Sequence, residues 1–262
     1  MLNVKGVVLA QKPVGEQDRF IDILTAEYGV IEVLVKGASK ISSKTGSATQ
    51  LFSYAQFSLA DKKHGRVRIL GSVSPIRIFY GLRSSVTAVA LASYFSQIIT
   101  FSVLPKNGTP EILRLMLNCL HFLSEKKHEE PKLKAVFELR MAALLGFMPD
   151  VVMCRKCGTY LPAELSFSVE GGYFCCKACR NPDSLAHWID MPAASLQAVR
   201  HIVLSDFERI FSFRIGEAAQ APLYAFAEEF LQYHIDRKFP TLEFYKAING
   251  GKNDEGQLQS FI

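Results

Sequence analysis

The sequence lacks any apolar run of the roughly 18–20 uncharged residues that a membrane-spanning helix needs, so no span is expected. Its first ten residues hold one lysine and a short apolar stretch, without the long apolar region and small-residue cleavage site of a secretory leader. The usual enzymatic signatures are missing too. There is no G-x-x-x-x-G-K-[ST] phosphate cradle, no G-x-G-x-x-G, no H-E-x-x-H and no G-x-S-x-G. A zinc deaminase needs His-x-Glu ahead of Pro-Cys-x-x-Cys, and here neither cysteine pair follows a proline. The six histidines (64, 121, 128, 187, 201, 234) form no cluster along the chain. These absences set the expectation of a cytoplasmic, non-enzymatic protein.

Acidic residues are scarce in one segment. Residues 34–68 carry seven cations, Lys36, Lys40, Lys44, Lys62, Lys63, Arg66 and Arg68, against one anion, Asp61. The whole net charge of +5 sits in the first third: residues 1–80 hold 11 Lys/Arg and 6 Asp/Glu, whereas residues 81–262 hold 19 of each. A local field of one sign attracts a polyanion. Lysines supply point charges, serine and threonine hydroxyls donate to phosphate oxygens, and a loop can follow a strand. The segment from Lys36 to Lys44, with four Ser and Thr within reach up to Thr45, is therefore the nucleic-acid candidate. Phe20, Tyr28, Phe52, Tyr54 and Phe57 are aromatics that could stack bases, although such residues more often fill a barrel core.

The apolar fraction of 49% and charged fraction of 21% are ordinary for a globular chain. The length, 262 residues, allows two or three domains of the usual ~100–150 residues. Residues 1–80 read as strands, at 4–11, 20–25, 30–36, 55–60 and 67–73. In the third, Ile31, Val33 and Val35 share one face and Glu32 and Lys36 the other. Residues 37–50 read as a loop, and Lys62-Lys63-His64-Gly65 as a turn. Five short strands in this length suit an OB barrel, a fold whose face and loops bind oligonucleotides. From Leu82 the period becomes helical: 84–101, a helix opened by Thr109-Pro110-Glu111, another opened by Pro131, then 192–204 and 221–238, the last ended by Pro240. Thr109 is expected to cap with its hydroxyl.

Five of the six cysteines fall within 26 positions. Cys154-x2-Cys157 and Cys176-x2-Cys179 are 18 residues apart, a zinc-site spacing. Each tight turn aims two thiolates at one ion, and Gly158 permits the sharp backbone. Four thiolates leave no open position for water, so the expected Zn2+ is structural. Cys175 is the alternative to Cys176 as third ligand; Cys176 keeps the two-residue spacing of the first pair. Between the pairs, 165–169 and 171–174 read as a hairpin. Cys119 lies on an apolar helix and reads as core.

Several segments resemble one known family in order and spacing over about residues 1–248. They are Gly15-Glu16-Gln17-Asp18-Arg19, Leu24-Thr25-Ala26-Glu27-Tyr28-Gly29, Val35-Lys36-Gly37-Ala38-Ser39-Lys40, and Leu145-Gly146-Phe147-Met148-Pro149 before Cys154-Arg155-Lys156-Cys157-Gly158. Phe167-Ser168, then Gly171-Gly172 and the second cysteine pair, complete them. The chain resembles the bacterial RecO recombination mediators. The resemblance implies an α+β multidomain fold, with an OB barrel over 1–80 and an all-α helical domain from 81–149 and 185–248. It also implies an inserted zinc ribbon over 150–184; residues 249–262, beyond the resemblance, read from their composition as a polar tail. It further implies binding of single- and double-stranded DNA and annealing of complementary strands. With RecR, such a protein helps load RecA onto DNA coated by single-strand-binding protein, whose C-terminal tail docks on the helical domain. Lys36 and Lys40 match the family's basic segment and Lys44 follows by position. The rival expectations are a zinc-containing protein adaptor with little direct DNA binding, and a zinc enzyme.

Overall fold

The computed structural model describes residues 1–38, 43–61, 68–104, 108–181 and 185–250. Two compact units emerge: Met1–Lys127 together with the segment from Phe239 onward, and His128–Lys238.

In the first unit, strands β1 (Leu2–Val14), β2 (Asp18–Thr25), β3 (Gly29–Val35), β4 (Tyr54–Asp61) and β5 (Arg68–Arg77) close a barrel in the order β1-β2-β3-β5-β4. The first three form an antiparallel meander, and β4 pairs antiparallel with both β5 and β1. Closure depends on a short parallel contact of β3 with β5, Val33 opposite Arg68 and Leu34 opposite Ile69. This is the five-stranded OB-type arrangement. Strand alternation sends Val4, Val8, Ile21, Ile23, Val33, Val35, Phe57 and Leu59 into one core. Gly6 permits the tight β1–β2 approach: a Cβ there would lie 2.4 Å from Ile23 Cγ2 and 2.6 Å from the Leu24 carbonyl oxygen. Residues 43–48, expected as loop, form a short helix α1 (Ser43–Ala48), whose Ala48 joins the barrel core.

Helices α2 (Val86–Ser102), α3 (Pro110–Glu125) and α7 (Pro240–Gly250) belong to the same unit. Ser85 caps α2, its hydroxyl accepting from the Ala88 N–H. Thr109 behaves differently from expectation. It stands at the N-cap of α3, but its hydroxyl makes no cap bond. Its N–H donates to the Ala26 carbonyl at 2.7 Å and its hydroxyl to the Thr25 carbonyl at 3.3 Å, which ties the helix to the end of β2. Pro240 does not merely stop the preceding helix; it opens α7, where its missing N–H costs nothing. Residues 249 and 250 of the expected tail belong to α7; the remainder lies outside the described residues.

The second unit contains α4 (Glu130–Leu144), α5 (Ala193–Leu204) and α6 (Glu217–Ile235), with a three-stranded sheet in the order β7-β6-β8. Its strands are β6 (Glu164–Ser168), β7 (Tyr173–Cys176) and β8 (Trp188–Pro192). The third ribbon strand is additional to the expected hairpin. Phe167 of β6 packs against Phe226 of α6, ring centroids 4.3 Å apart. Helices α2, α3 and α7 thus fall in the first unit and α4, α5 and α6 in the second. Among the described residues no helix is long and apolar enough to cross a membrane.

Candidate nucleic-acid interface and metal centre

Lys36 is exposed, one residue beyond the end of β3. The loop it enters starts at Gly37, whose φ of +60° suits glycine and whose N–H donates to Asp18 Oδ1 at 2.8 Å. Arg68 opens β5 and is half-buried, its guanidinium 5.2 Å from the centre of the Tyr28 ring in the β2–β3 turn. β5 runs parallel to β3, with Arg68 opposite Val33. Arg68 thus stands beside the fifth of the seven residues of β3, three positions from Lys36 along that strand, roughly 10 Å at the usual rise per residue. Lys44 lies on α1. Lys40, Lys62, Lys63, Arg66 and His64 lie outside the described residues.

The outer face of β2 and β3 carries apolar and acidic side chains beside these cations. Phe20 and Leu34 stand opposite each other, half-buried, on the outside of β2 and β3. Asp22 and Glu32 form the next outward pair, and Asp22 takes the Lys12 ammonium at 3.0 Å. Of the other candidate aromatics, Phe52 and Phe57 are buried.

The cysteine cluster is compact. The Sγ atoms of Cys154, Cys157, Cys176 and Cys179 all lie within 4.8 Å of one another, with Cys157 and Cys176 at 3.6 Å. Tetrahedral thiolates at about 2.3 Å from one ion would stand a little under 4 Å apart, so this donor set fits a four-sulfur metal site. The first knuckle is shaped by Cys154 N–H donating to the Thr159 carbonyl, Gly158 N–H to the Cys154 carbonyl, and φ of +74° at Gly158. The Cys176 N–H donates to Cys154 Sγ at 3.3 Å. Burial works to raise the Cys154 thiol, but N–H groups of Cys157, Cys176 and Lys156 aimed at the sulfur outweigh it and bring it down to about 6. The Thr159 hydroxyl and N–H lower Cys157. Burial and the neighbouring sulfurs of Cys157 and Cys154 push Cys176 up to about 12, and the hydrogen bond with Cys157 leads in pushing Cys179 up to about 11. Sulfurs this close repel as thiolates, which a bound cation would relieve.

Strand alternation separates the doubled cysteines. Cys176 puts its sulfur in the cluster, whereas Cys175 is 2% exposed, outside it, with burial raising its thiol. Cys119 is likewise buried and raised. No histidine or carboxylate joins the four sulfurs among the described residues. His187 meets Glu229 at 2.5 Å, His201 the Arg209 carbonyl and His121 the Arg77 guanidinium.

Two residues central to this geometry escaped the sequence reading. Asp18 anchors the basic loop, and its only signal was its place in the quoted Gly15–Arg19 motif. Arg200 binds the first knuckle from α5, and its signal was one cation within the apolar face formed by Leu196, Val199 and Val203.

The chain matches two family models, "Recombination protein O N terminal" over residues 1–79 and "Recombination protein O C terminal" over residues 83–243. It belongs to the RecO family. A protein named DNA repair protein RecO from Acetivibrio thermocellus is 29% identical over 248 residues, covering 95% of this chain and 97% of the relative. Proteins of the same name from Alkaliphilus metalliredigens and Dehalococcoides mccartyi are 25% and 27% identical. They cover 95% and 81% of this chain, and 100% and 82% of their own lengths. For a RecO family chain, the closed barrel and the four-sulfur cluster are thus the two features from which function is argued.

Proposed function

We propose that this chain is a DNA-binding mediator of recombinational repair. It binds single- and double-stranded DNA, anneals complementary strands and, with RecR, helps load RecA onto DNA coated by single-strand-binding protein, engaging that protein's C-terminal tail. It acts in the bacterial cytoplasm, at the nucleoid, and catalyses no covalent step. The observation that carries this reading is a closed OB-type barrel built from the cation-rich, acid-poor part of the chain, with Lys36 exposed just beyond β3 and Arg68 opening the neighbouring β5. Lys36, Lys40, Lys44, Lys62, Lys63, Arg66 and Arg68 neutralise phosphates and release counterions. Annealing needs only two strands held close with their repulsion screened.

Cys154, Cys157, Cys176 and Cys179 hold a structural Zn2+ in this reading. The ion supplies the positive charge that lets four close thiolates persist and leaves no vertex for chemistry. The domains then follow function: barrel 1–80 for DNA, helices for protein contacts, and ribbon 150–184 as a brace.

The test is a titration of labelled single-stranded DNA at several salt concentrations with the full chain and with Lys36→Glu/Lys40→Glu. The variant should bind at least about tenfold more weakly, and its log–log salt slope should fall by about 1–2. Unchanged affinity and slope would remove the loop from the interface. One observation favours the adaptor reading: Phe147, Met148, Val152, Met153, Tyr160 and Leu161 are all exposed within fifteen residues of the second unit, and such a patch suits protein contact. Binding of the single-strand-binding tail by a chain that ignores DNA would decide for it.

A further inference from the structure

Arg200 lies in the middle of α5, is 7% exposed, and spends its donors on the segment that carries the first cysteine pair. Its Nε donates to the Val151 carbonyl at 2.6 Å. Its Nη2 donates to the Val152 carbonyl at 2.9 Å and to the Tyr160 carbonyl at 2.5 Å. Val151 and Val152 lead into Cys154, and Tyr160 leads away from Cys157, so one guanidinium cross-links the two stems of the knuckle. The same group stacks on the Tyr160 ring at 4.0 Å and stands 5.8 Å from the ring of Phe174, two residues before Cys176. One planar fork therefore touches the stems of both cysteine pairs.

This is an expensive place for a cation. A buried charge is costly unless compensated, and no carboxylate pairs with Arg200 among the described residues. Neutral carbonyls satisfy three donor contacts but carry no net charge.

We infer that Arg200 is the positioning residue of the metal centre, holding the first knuckle in its ligating shape. The inference rests on the metal reading above. Arg200 touches no ligand sulfur; it acts through the backbone that sets the Cys154 and Cys157 geometry. Lysine cannot replace it well, since an ammonium is a point charge without the fixed fork that reaches three carbonyls.

The experiment uses the full-length chain, with Zn2+ affinity read by competition with a chromophoric chelator and site geometry read from the Co2+ spectrum. Arg200→Gln should keep a four-thiolate Co2+ spectrum and bind Zn2+ about 10- to 100-fold more weakly, the range found when partners behind metal ligands are removed. Arg200→Lys, the gentler second variant, should also bind more weakly than wild type. Arg140→Gln is the control. Arg140 donates to the Val203 carbonyl at the end of α5 and makes no knuckle contact, so its loss should lower thermal stability and leave Zn2+ affinity alone. Wild-type affinity in both Arg200 variants would overturn the inference. So would an equal weakening in Arg140→Gln, because the effect would then be general destabilisation. A wild-type chain that takes up no Co2+ would overturn the metal reading itself, and this inference with it.

Discussion

Cys175 and Cys176 are chemically identical neighbours with opposite surroundings, because a strand sends successive side chains to opposite faces. One sulfur joins three others; the second is buried beyond the cluster. The sequence alone left the choice open, since both spacings suit a turn. Cys176→Ser is expected to lose the metal, whereas Cys175→Ser keeps one equivalent and loses about 1–3 kcal/mol for placing a hydroxyl in an apolar site. Metal content and urea unfolding of the two purified variants check this; the reverse result would move the third ligand to Cys175. A second residue-scale prediction concerns Lys134, buried between Glu138 at 2.8 Å and Glu228 at 2.7 Å. Burial works to lower its pKa, but the two carboxylates outweigh it and hold the ammonium above its ordinary 10.5. A folded-state pKa raised in this way adds stability that is fully present below pH 10.5 and is lost as pH rises through the folded value. Unfolding free energy should therefore fall above that pH in wild type. Lys134→Met should start about 3–5 kcal/mol lower, having removed the cation both carboxylates share, and should lose this component of the alkaline decline.

At the scale of elements, β1 and β2 come together only because Gly6 has no side chain. Gly6→Val should cost at least about 1–3 kcal/mol, because one of the nearest atoms to the new Cβ is the Leu24 carbonyl oxygen, which cannot rotate away. A urea midpoint unchanged from wild type would show that the strands yield more easily than the geometry allows. The strands themselves were legible: Ile31, Val33 and Val35 alternate with Glu32 and Lys36, and the burial follows that alternation. Barrel closure was not legible from local pattern, because it depends on Val33 meeting Arg68 across a long sequence separation. Helix α1, Ser-Lys-Thr-Gly-Ser-Ala, has no apolar period to announce it, and Ala48 is its buried anchor among the described side chains. Strand β8 was missed because Trp188–Pro192 is short and leads directly into α5. The four sulfurs were readable from spacing, but Arg200 was not, since its partners are backbone carbonyls 40 to 49 residues away.

Across the whole molecule, the barrel, with Lys36 and Arg68, and the thiol cluster belong to different compact units. Charge near the cysteines is balanced: Arg155 faces Asp150, Lys177 faces Glu164, and Arg180 faces Asp190. Such pairs leave little field to draw a phosphate chain, in contrast to the acid-poor segments of the barrel. Removing the metal should therefore separate the two roles. The sheet has an anchor of its own, Phe167 against Phe226 and Phe230, which does not depend on sulfur. The knuckles have less: a few turn hydrogen bonds and the grip of Arg200. Chelation should thus abolish hydrogen-exchange protection around Cys154–Thr159 and Cys176–Arg180, while β6 and α6 stay protected. DNA affinity and its salt slope should be unchanged, because phosphate neutralisation at the barrel involves no thiolate. If chelation instead weakened DNA binding with an unaltered slope, the number of phosphate contacts would be intact. The ribbon would then supply a non-ionic contact to the nucleic acid, and the brace assigned to it here would be the wrong role.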